Sequence, residues 1–231
     1  MINKNISFEY TNYYKKKRLS KLYPTEFIVR SFLGSYPNLK PSPSSFYLGK
    51  KVLDLGCGDG RNIPFLNDLG YEVYGLEINE EIKEFCFQNL KFNNYKANLR
   101  IGDNSNTNFP KDFFDCVVAC HSFYYLKDNE TFDENLNEIY KILKKGGRFV
   151  FSIPNHKSYL LKNAEILNGN YAVIKNDPLK IRNGLKIKFF KTDSEIIKYM
   201  NQKFNLFKIG LCENNWWGYK EFYWTVICNS K

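Results

Sequence analysis

Three glycines at alternate positions, Gly56, Gly58 and Gly60, follow the short apolar run Val52-Leu-Asp-Leu55 and lead into Arg61 and Asn62-Ile-Pro-Phe-Leu66. This pattern reads as a buried strand that passes through a glycine turn into a helix with Pro64 in its first turn. Residues without a Cβ take positive φ at no steric cost and let a ligand approach the backbone, while the N–H groups at the helix start face that ligand. The chemistry served by such a turn is nucleotide binding. Farther along, Tyr71-Glu-Val-Tyr-Gly-Leu-Glu77 ends in an acid 17 residues beyond Gly60, placed to accept hydrogen bonds from both hydroxyls of a ribose. His121 follows the apolar stretch Cys116-Val-Val-Ala119 and offers either a base or a hydrogen-bond donor. A packed histidine capping that strand is the alternative.

Spacing selects the ligand. A dinucleotide fingerprint, G-x-G-x-x-G, needs its third glycine at position 61, where this chain has Arg61. Asp54-Leu-Gly56-Cys57-Gly58-Asp-Gly60 instead resembles motif I, E/D-x-G-x-G-x-G, of the class I S-adenosylmethionine (SAM) dependent methyltransferases. Leu143-Lys-Lys-Gly-Gly147 is similar to that family's L-K-P-G-G entry to its fifth strand. The resemblance covers residues 50–153 closely and the C-terminal strands loosely.

It implies SAM as cofactor, with S-adenosyl-L-homocysteine (SAH) as product. Asp54 and the backbone of Gly56, Cys57 and Gly58 would hold the methionine amine and carboxylate and Glu77 the ribose, with Gly60, Arg61 and Ile78 as further cofactor contacts. Asp103 and Asn104 match the position that reads the adenine amino group, although Asp and Asn after Gly102 are also ordinary turn residues. Cys120, His121 and Tyr125 fall where the family brings its chain beside the methyl group. Family members acting on exocyclic amines or glutamine amides carry an Asn/Asp-Pro-Pro-aromatic motif there, and Cys120-His-Ser-Phe123 weighs against that chemistry.

The elements that must position these residues follow from the hydrophobic pattern. Strands are expected near 51–55, 72–76, 97–101, 115–119 and 147–153, and helices near 60–69, 79–92 and 131–144, the last ending at Gly146-Gly147. Alternation of this kind implies a mostly parallel sheet covered by helices. Residues 1–45 read as an N-terminal cap of short helices, closed by the Pro- and Ser-rich linker 37–45. Residues 155–200 are a polar insert on the substrate side. Phe204–Leu211 and Glu221–Cys228 then form a hairpin joined by Asn214-Asn-Trp-Trp-Gly218. The whole is one methyltransferase-like α/β domain over 1–231, with 46–154 as cofactor-binding core and 201–231 as hairpin. The resemblance implies a Rossmann-like seven-stranded sheet of order 3-2-1-4-5-7-6 with the last strand antiparallel.

Composition narrows the partners. The start of the chain has no apolar run after its basic residue, and no stretch approaches the roughly 18 to 20 apolar residues of a membrane span, so a cytoplasmic location is expected. Six cysteines form no C-x-x-C pair, and with His121 and His156 the sole histidines no metal cluster is expected. The net charge of +10 is carried mainly by scattered lysines. One dense run, Lys15-Lys-Lys-Arg18, reads first as a solvated helix face, so nucleic acid is not the expected partner. A small anionic acceptor suits the charge equally well.

Candidates for gripping that acceptor are Tyr14, Tyr23 and Arg30 in the cap and Trp216 and Trp217 in the hairpin, with Tyr219 and Tyr223 completing an aromatic wall. A Glu26-to-Arg30 pair one helical turn apart and plain packing of the aromatics are the alternatives. Tyr23-Pro-Thr-Glu-Phe-Ile-Val-Arg30 before a compact core also resembles small bacterial methyltransferases of capsule and surface-polysaccharide modification, including those proposed for the O-methyl phosphoramidate pathway. That resemblance implies oxygen methylation of a phosphoramidate, phosphate or sugar. A methyltransferase for another metabolite or an RNA, and a non-catalytic SAM-binding regulatory subunit, remain as alternatives.

Overall fold

The computed structural model describes residues 3–231, and for residues 3–8 and 44 the backbone alone. Helices α1 (Asn3–Lys15) and α2 (Glu26–Leu33) precede the sheet. Then β1 (Lys51–Leu55), α3 (Ile63–Asp68), β2 (Glu72–Glu77), α4 (Glu80–Phe92), β3 (Asn98–Ile101) and β4 (Phe114–Ala119) follow the expected alternation. After β4 come a short strand β5 (Tyr125–Leu126), α5 (Phe132–Ile142) and the long β6 (Leu143–Pro154). Polar ends fix the helices. Asn79 caps α4 by accepting from the Ile82 N–H at 2.9 Å, and Thr131 with Glu134 forms a capping box at the start of α5.

Successive residues of the central strands supply two separate cores, one on each face of the sheet. Val52 of β1 packs with Cys116 and Val118 of β4 and Val150 of β6 beneath α2 and α3. Their neighbours Leu53, Val117, Phe149 and Phe151 pack on the other side with Phe132 and Leu136 of α5. Both faces are apolar, which is why these strands read as continuous hydrophobic runs rather than alternating ones.

The last elements are β7 (Glu165–Leu167), β8 (Tyr171–Val173), β9 (Lys186–Lys188), α6 (Asp193–Met200), β10 (Phe204–Trp216) and β11 (Tyr219–Ser230). The main sheet runs β3-β2-β1-β4-β6-β11-β10, which is the expected order, with β11 antiparallel to both its neighbours. From β1 the chain winds outward to β3 and then crosses back to β4, so the topological switch lies between β1 and β4. Ligands of such sheets bind at the carboxyl ends of the strands beside that switch.

Two expectations change, and the polar insert carries strands: β7, β8 and β9 join β5 in a second sheet of order β5-β9-β8-β7, which ties residues 165–188 to the segment after β4. Helix α5 stops at Ile142 and β6 begins at once, with Gly146 at φ 73° in a bulged stretch where the β4 register shifts. The hairpin strands extend until only Trp217 and Gly218, both at positive φ, make the turn, the geometry a two-residue hairpin loop requires. Among the described residues no helix is long and apolar enough to cross a membrane.

Candidate active site

The loop after β1 crosses the carboxyl end of the sheet with Gly56, Gly58 and Gly60 at φ 69°, 59° and 81°. A Cβ on Gly56 would lie 2.7 Å from the Ser122 Cβ, and one on Gly58 would strike the Tyr14 hydroxyl. Hydrogen bonds lock this loop to β2. The Gly56 and Cys57 N–H groups donate to the Leu76 carbonyl (3.0 and 3.2 Å), and the Gly58 N–H donates to Glu77 Oε1 at 2.6 Å. Glu77 Oε2 accepts from the Ile78 N–H at 3.0 Å. Each carboxylate oxygen has a second lone pair, so Glu77 retains acceptor capacity for two hydroxyls. Burial raises its carboxyl pKa, and these backbone donors pull the other way.

Asp54, at the end of β1, is buried, and neither of its oxygens has a hydrogen-bond partner. Burial first, then the charges of Glu77 and Asp59, push its carboxyl up to about 7. The nearby Asn62 amide, which falls short of hydrogen-bond geometry, and Arg61 offset this only in part. Asp59 is the opposite case. Burial opposes its charge, but Arg61 (2.9 and 2.7 Å) and Lys17 (2.9 Å) prevail and hold the carboxyl down at about 2. Lys17 and Tyr14 belong to the cap region, and Thr11 of α1 accepts from Asn79 Nδ2 at 2.9 Å, so α1 is moored over the glycine loop.

The loop opens into a cavity of about 650 Å³, within the size range of small-molecule sites. On its far side His121 follows β4 at φ 56°. Its N–H donates to Ser152 Oγ at 2.8 Å, and its Nδ1 lies 3.1 Å from the same oxygen. Ser152 is buried and its hydroxyl proton needs an acceptor. Nδ1 fills that role, which assigns the ring proton to Nε2. Burial, and then the charges of Arg182 and Arg61, lower His121 to about 4, so the ring is neutral. Its edge meets Tyr223 at 4.7 Å between centroids.

Tyr10 from α1, Tyr124 and Tyr125 after β4, Tyr159 and Arg182 complete this half of the cavity. Arg182 Nη1 donates to the Tyr159 hydroxyl at 2.5 Å and to Asp177 Oδ1 at 3.2 Å. Asp177 Oδ2 accepts the Ile181 and Arg182 N–H groups, both at 3.0 Å, which closes the loop that presents the guanidinium.

Residues 53–151 match the methyltransferase domain family. Over those residues the chain is similar to SAM-dependent methyltransferases. YqeM of Bacillus subtilis, named as a methyltransferase, is 30% identical over 116 residues, which are 50% of this chain and 45% of YqeM. MJ1252 of Methanocaldococcus jannaschii is 31% identical over 154 residues, 65% of this chain and 54% of its own. The chain spans about half the length of the curated relatives it matches. Among solved structures, a SAM-dependent methyltransferase from Methanosarcina mazei has a TM-score of 0.62 at 19% identity, over 83% of this chain and 98% of that one. PH0226 from Pyrococcus horikoshii gives 0.60 at 21% identity, over 79% and 82%. These two structural likenesses speak for the fold.

The residues of this cavity fit SAM on two structural grounds. The unpartnered Asp54 carboxylate is a buried acceptor waiting for a cationic donor, and the Gly56–Gly58 cradle leaves room where side chains would stand. Of the residues expected from sequence, Gly56, Cys57, Gly58, Arg61, Glu77, Ile78, Asp103, Asn104, Cys120, Tyr125, His121 and Tyr14 all line the cavity. Asp54 and Gly60 stand behind the lining, Gly60 close against Cys86.

Some of these side chains have structural work as well. Asn104 Nδ2 donates to the Ser122 and Tyr125 carbonyls (2.9 and 3.1 Å), tying the end of β3 to the segment after β4. Asp103 Oδ1 accepts from Ser105 and Asn106 in a turn, and its Oδ2 pairs with Lys127 at 2.7 Å. Burial keeps the Cys120 thiol protonated, pushing it up to about 12.

Five expected acceptor residues lie outside the cavity, one of them Tyr219, whose ring packs edge-on against Tyr159. Arg30 is exposed and pairs with Glu26 at 2.7 Å and with Tyr36, the simple helix pair. Tyr23 is 75% exposed. Trp216 and Trp217 sit at the tip of the extended hairpin, Trp217 94% exposed, and Tyr223 farther down β11 is the aromatic that reaches the cavity. Conversely, Lys17 lies in the run read first as a solvated face, and Arg182 and Tyr159 lie in the polar insert, where no spacing marks them.

Proposed function

We propose that the protein transfers a methyl group from SAM to an oxygen of a small, anionic acceptor, in the synthesis of a bacterial capsule or surface polysaccharide. The observation that carries this reading is the single cavity joining the glycine loop and Glu77 to His121. Asp54, just behind the lining, and the loop backbone would hold the methionine amine and carboxylate, Glu77 the ribose hydroxyls, and Asp103 the adenine. Bound SAM supplies a methyl group on a sulfonium already activated for displacement, which leaves orientation of the acceptor as the protein's main task.

His121 presents Nε2–H rather than a lone pair, so it serves as a donor that orients an acceptor oxygen. An oxygen that is already anionic needs no base. The net charge of +10 and the resemblance of Tyr23–Arg30 to surface-polysaccharide enzymes favour a phosphoramidate, phosphate ester or charged sugar. Incubation with methyl-labelled SAM and a panel of phosphoramidate, sugar phosphates, neutral sugars and RNA tests this. Label should enter an anionic small molecule; transfer to RNA alone, falling steeply with salt, would overturn the acceptor class.

A further inference from the structure

Arg182 is the permanent cation set deepest in the acceptor half, its side chain 14% exposed. The acceptors Tyr159 and Asp177 both take from Nη1, whereas a guanidinium carries five N–H donors. Around it stand phenols from separate parts of the fold: Tyr10 on α1, Tyr124 and Tyr125 after β4, and Tyr159 at the start of the insert. Their mutual contacts are loose. Tyr10 and Tyr125 hydroxyls are 3.3 Å apart and those of Tyr124 and Tyr125 3.5 Å, against about 2.7–2.8 Å for a good O–H···O bond. These protons are therefore free to turn toward a better acceptor. Burial outweighs the pull of Arg182 and keeps Tyr10 and Tyr125 neutral donors.

We infer that Arg182 and the hydroxyls of Tyr10, Tyr125 and Tyr159 form an anion subsite that seats a tetrahedral oxyanion of the acceptor. A planar carboxylate has two oxygens, and the Arg fork alone satisfies them. A phosphoryl-type group has three, with lone pairs spread in three dimensions, and it matches one guanidinium encircled by hydroxyls from different elements. Two acids are near. Asp177 is engaged by Arg182 and two backbone N–H groups, and Glu221 also lines the cavity. The subsite rests on the reading of this cavity as the methyl-transfer site and supplies the substrate class for it.

The test is a titration of inorganic phosphate into the protein, with and without saturating SAH, followed by phosphorus NMR line broadening, with acetate, followed by the broadening of its methyl proton line, as planar comparator. Phosphate should bind with a dissociation constant on the order of millimolar, and acetate about tenfold more weakly. Arg182→Met should weaken phosphate about tenfold or more and leave SAH affinity within about twofold. Removal of Arg182 leaves Asp177 without its partner, so the double variant Tyr10→Phe/Tyr159→Phe, which deletes only hydroxyls, is measured alongside and should lose about threefold or more. Unchanged phosphate affinity in the variants, or no binding to the unaltered protein, overturns the subsite. Arg182-dependent phosphate binding in a protein that ignores SAH would uphold the subsite and overturn the methyl-transfer reading instead.

Discussion

The backbone N–H of Gly58 donates to Glu77 Oε1 at 2.6 Å, so the glycine turn after β1 and the acid that ends β2 form one unit. Replacing Glu77 removes the anchor of the loop and, with it, the proposed ribose acceptor. Each charge-assisted bond is worth about 1.5–3 kcal/mol. Glu77→Ala should therefore weaken SAH binding by about a hundredfold or more, with Glu77→Gln between the two, as read by calorimetry.

As the proposed acceptor for the cofactor amine, Asp54 should make cofactor binding depend on pH. Its carboxyl titrates at about 7 instead of 3.8, and a cationic amine requires the ionised form. SAH affinity should fall as pH drops below about 7, by up to about tenfold per unit, and binding at neutral pH should release protons. Calorimetry in buffers of different ionisation enthalpy reads this release, and Asp54→Asn should abolish it. The stability effect has the opposite sense. Between 3.8 and about 7 the folded chain holds a proton the unfolded chain has lost, so stability falls as pH rises through that window. At pH about 8, Asp54→Asn without ligand should melt roughly 3–8 °C higher than the unaltered protein.

His121 should behave as a donor. With the ring at about 4, kcat/KM should show no histidine ionisation between about pH 5.5 and 8. His121→Gln keeps an amide N–H and should retain activity within about tenfold, whereas His121→Ala should lose about a hundredfold. A general base would instead reveal itself by equal, large losses in both variants.

Gly58→Ala places a Cβ at φ 59° against the Tyr14 hydroxyl. The backbone cost is about 1–2 kcal/mol, and Tyr14 must move. SAH affinity should fall by about tenfold or more, and Tyr14→Phe in the same chain should restore part of it by removing the oxygen that clashes. Absence of any rescue would show that α1 does not rest on the loop.

The glycine-loop half of the cavity was legible because its constraints are local. Three glycines forced to positive φ, an acid closing β2 and apolar runs of strand length write themselves into consecutive residues, and Gly56, Gly58, Gly60 and Glu77 stand where the spacing put them. The acceptor half was not, because its contacts are long-range. Arg182 meets Tyr10 and Tyr159 only after β9 pairs with β5 and α1 folds back over the sheet. No periodicity in residues 155–200 signals those pairings. Trp216 and Trp217 misled for a related reason: the aromatic character of the hairpin was visible, but strand length decides which aromatic faces the cavity, and continued pairing carried both tryptophans past it.

Calorimetric titration of the purified protein with SAH and, side by side, with NADH goes directly to the central claim. Binding of SAH in the micromolar range with no response to NADH is the predicted result, since the glycine spacing, the orphaned Asp54 and Glu77 all suit a nucleoside bearing an amino acid. Binding of NADH, or no binding of SAH, would contradict the assignment of this cavity to methyl transfer.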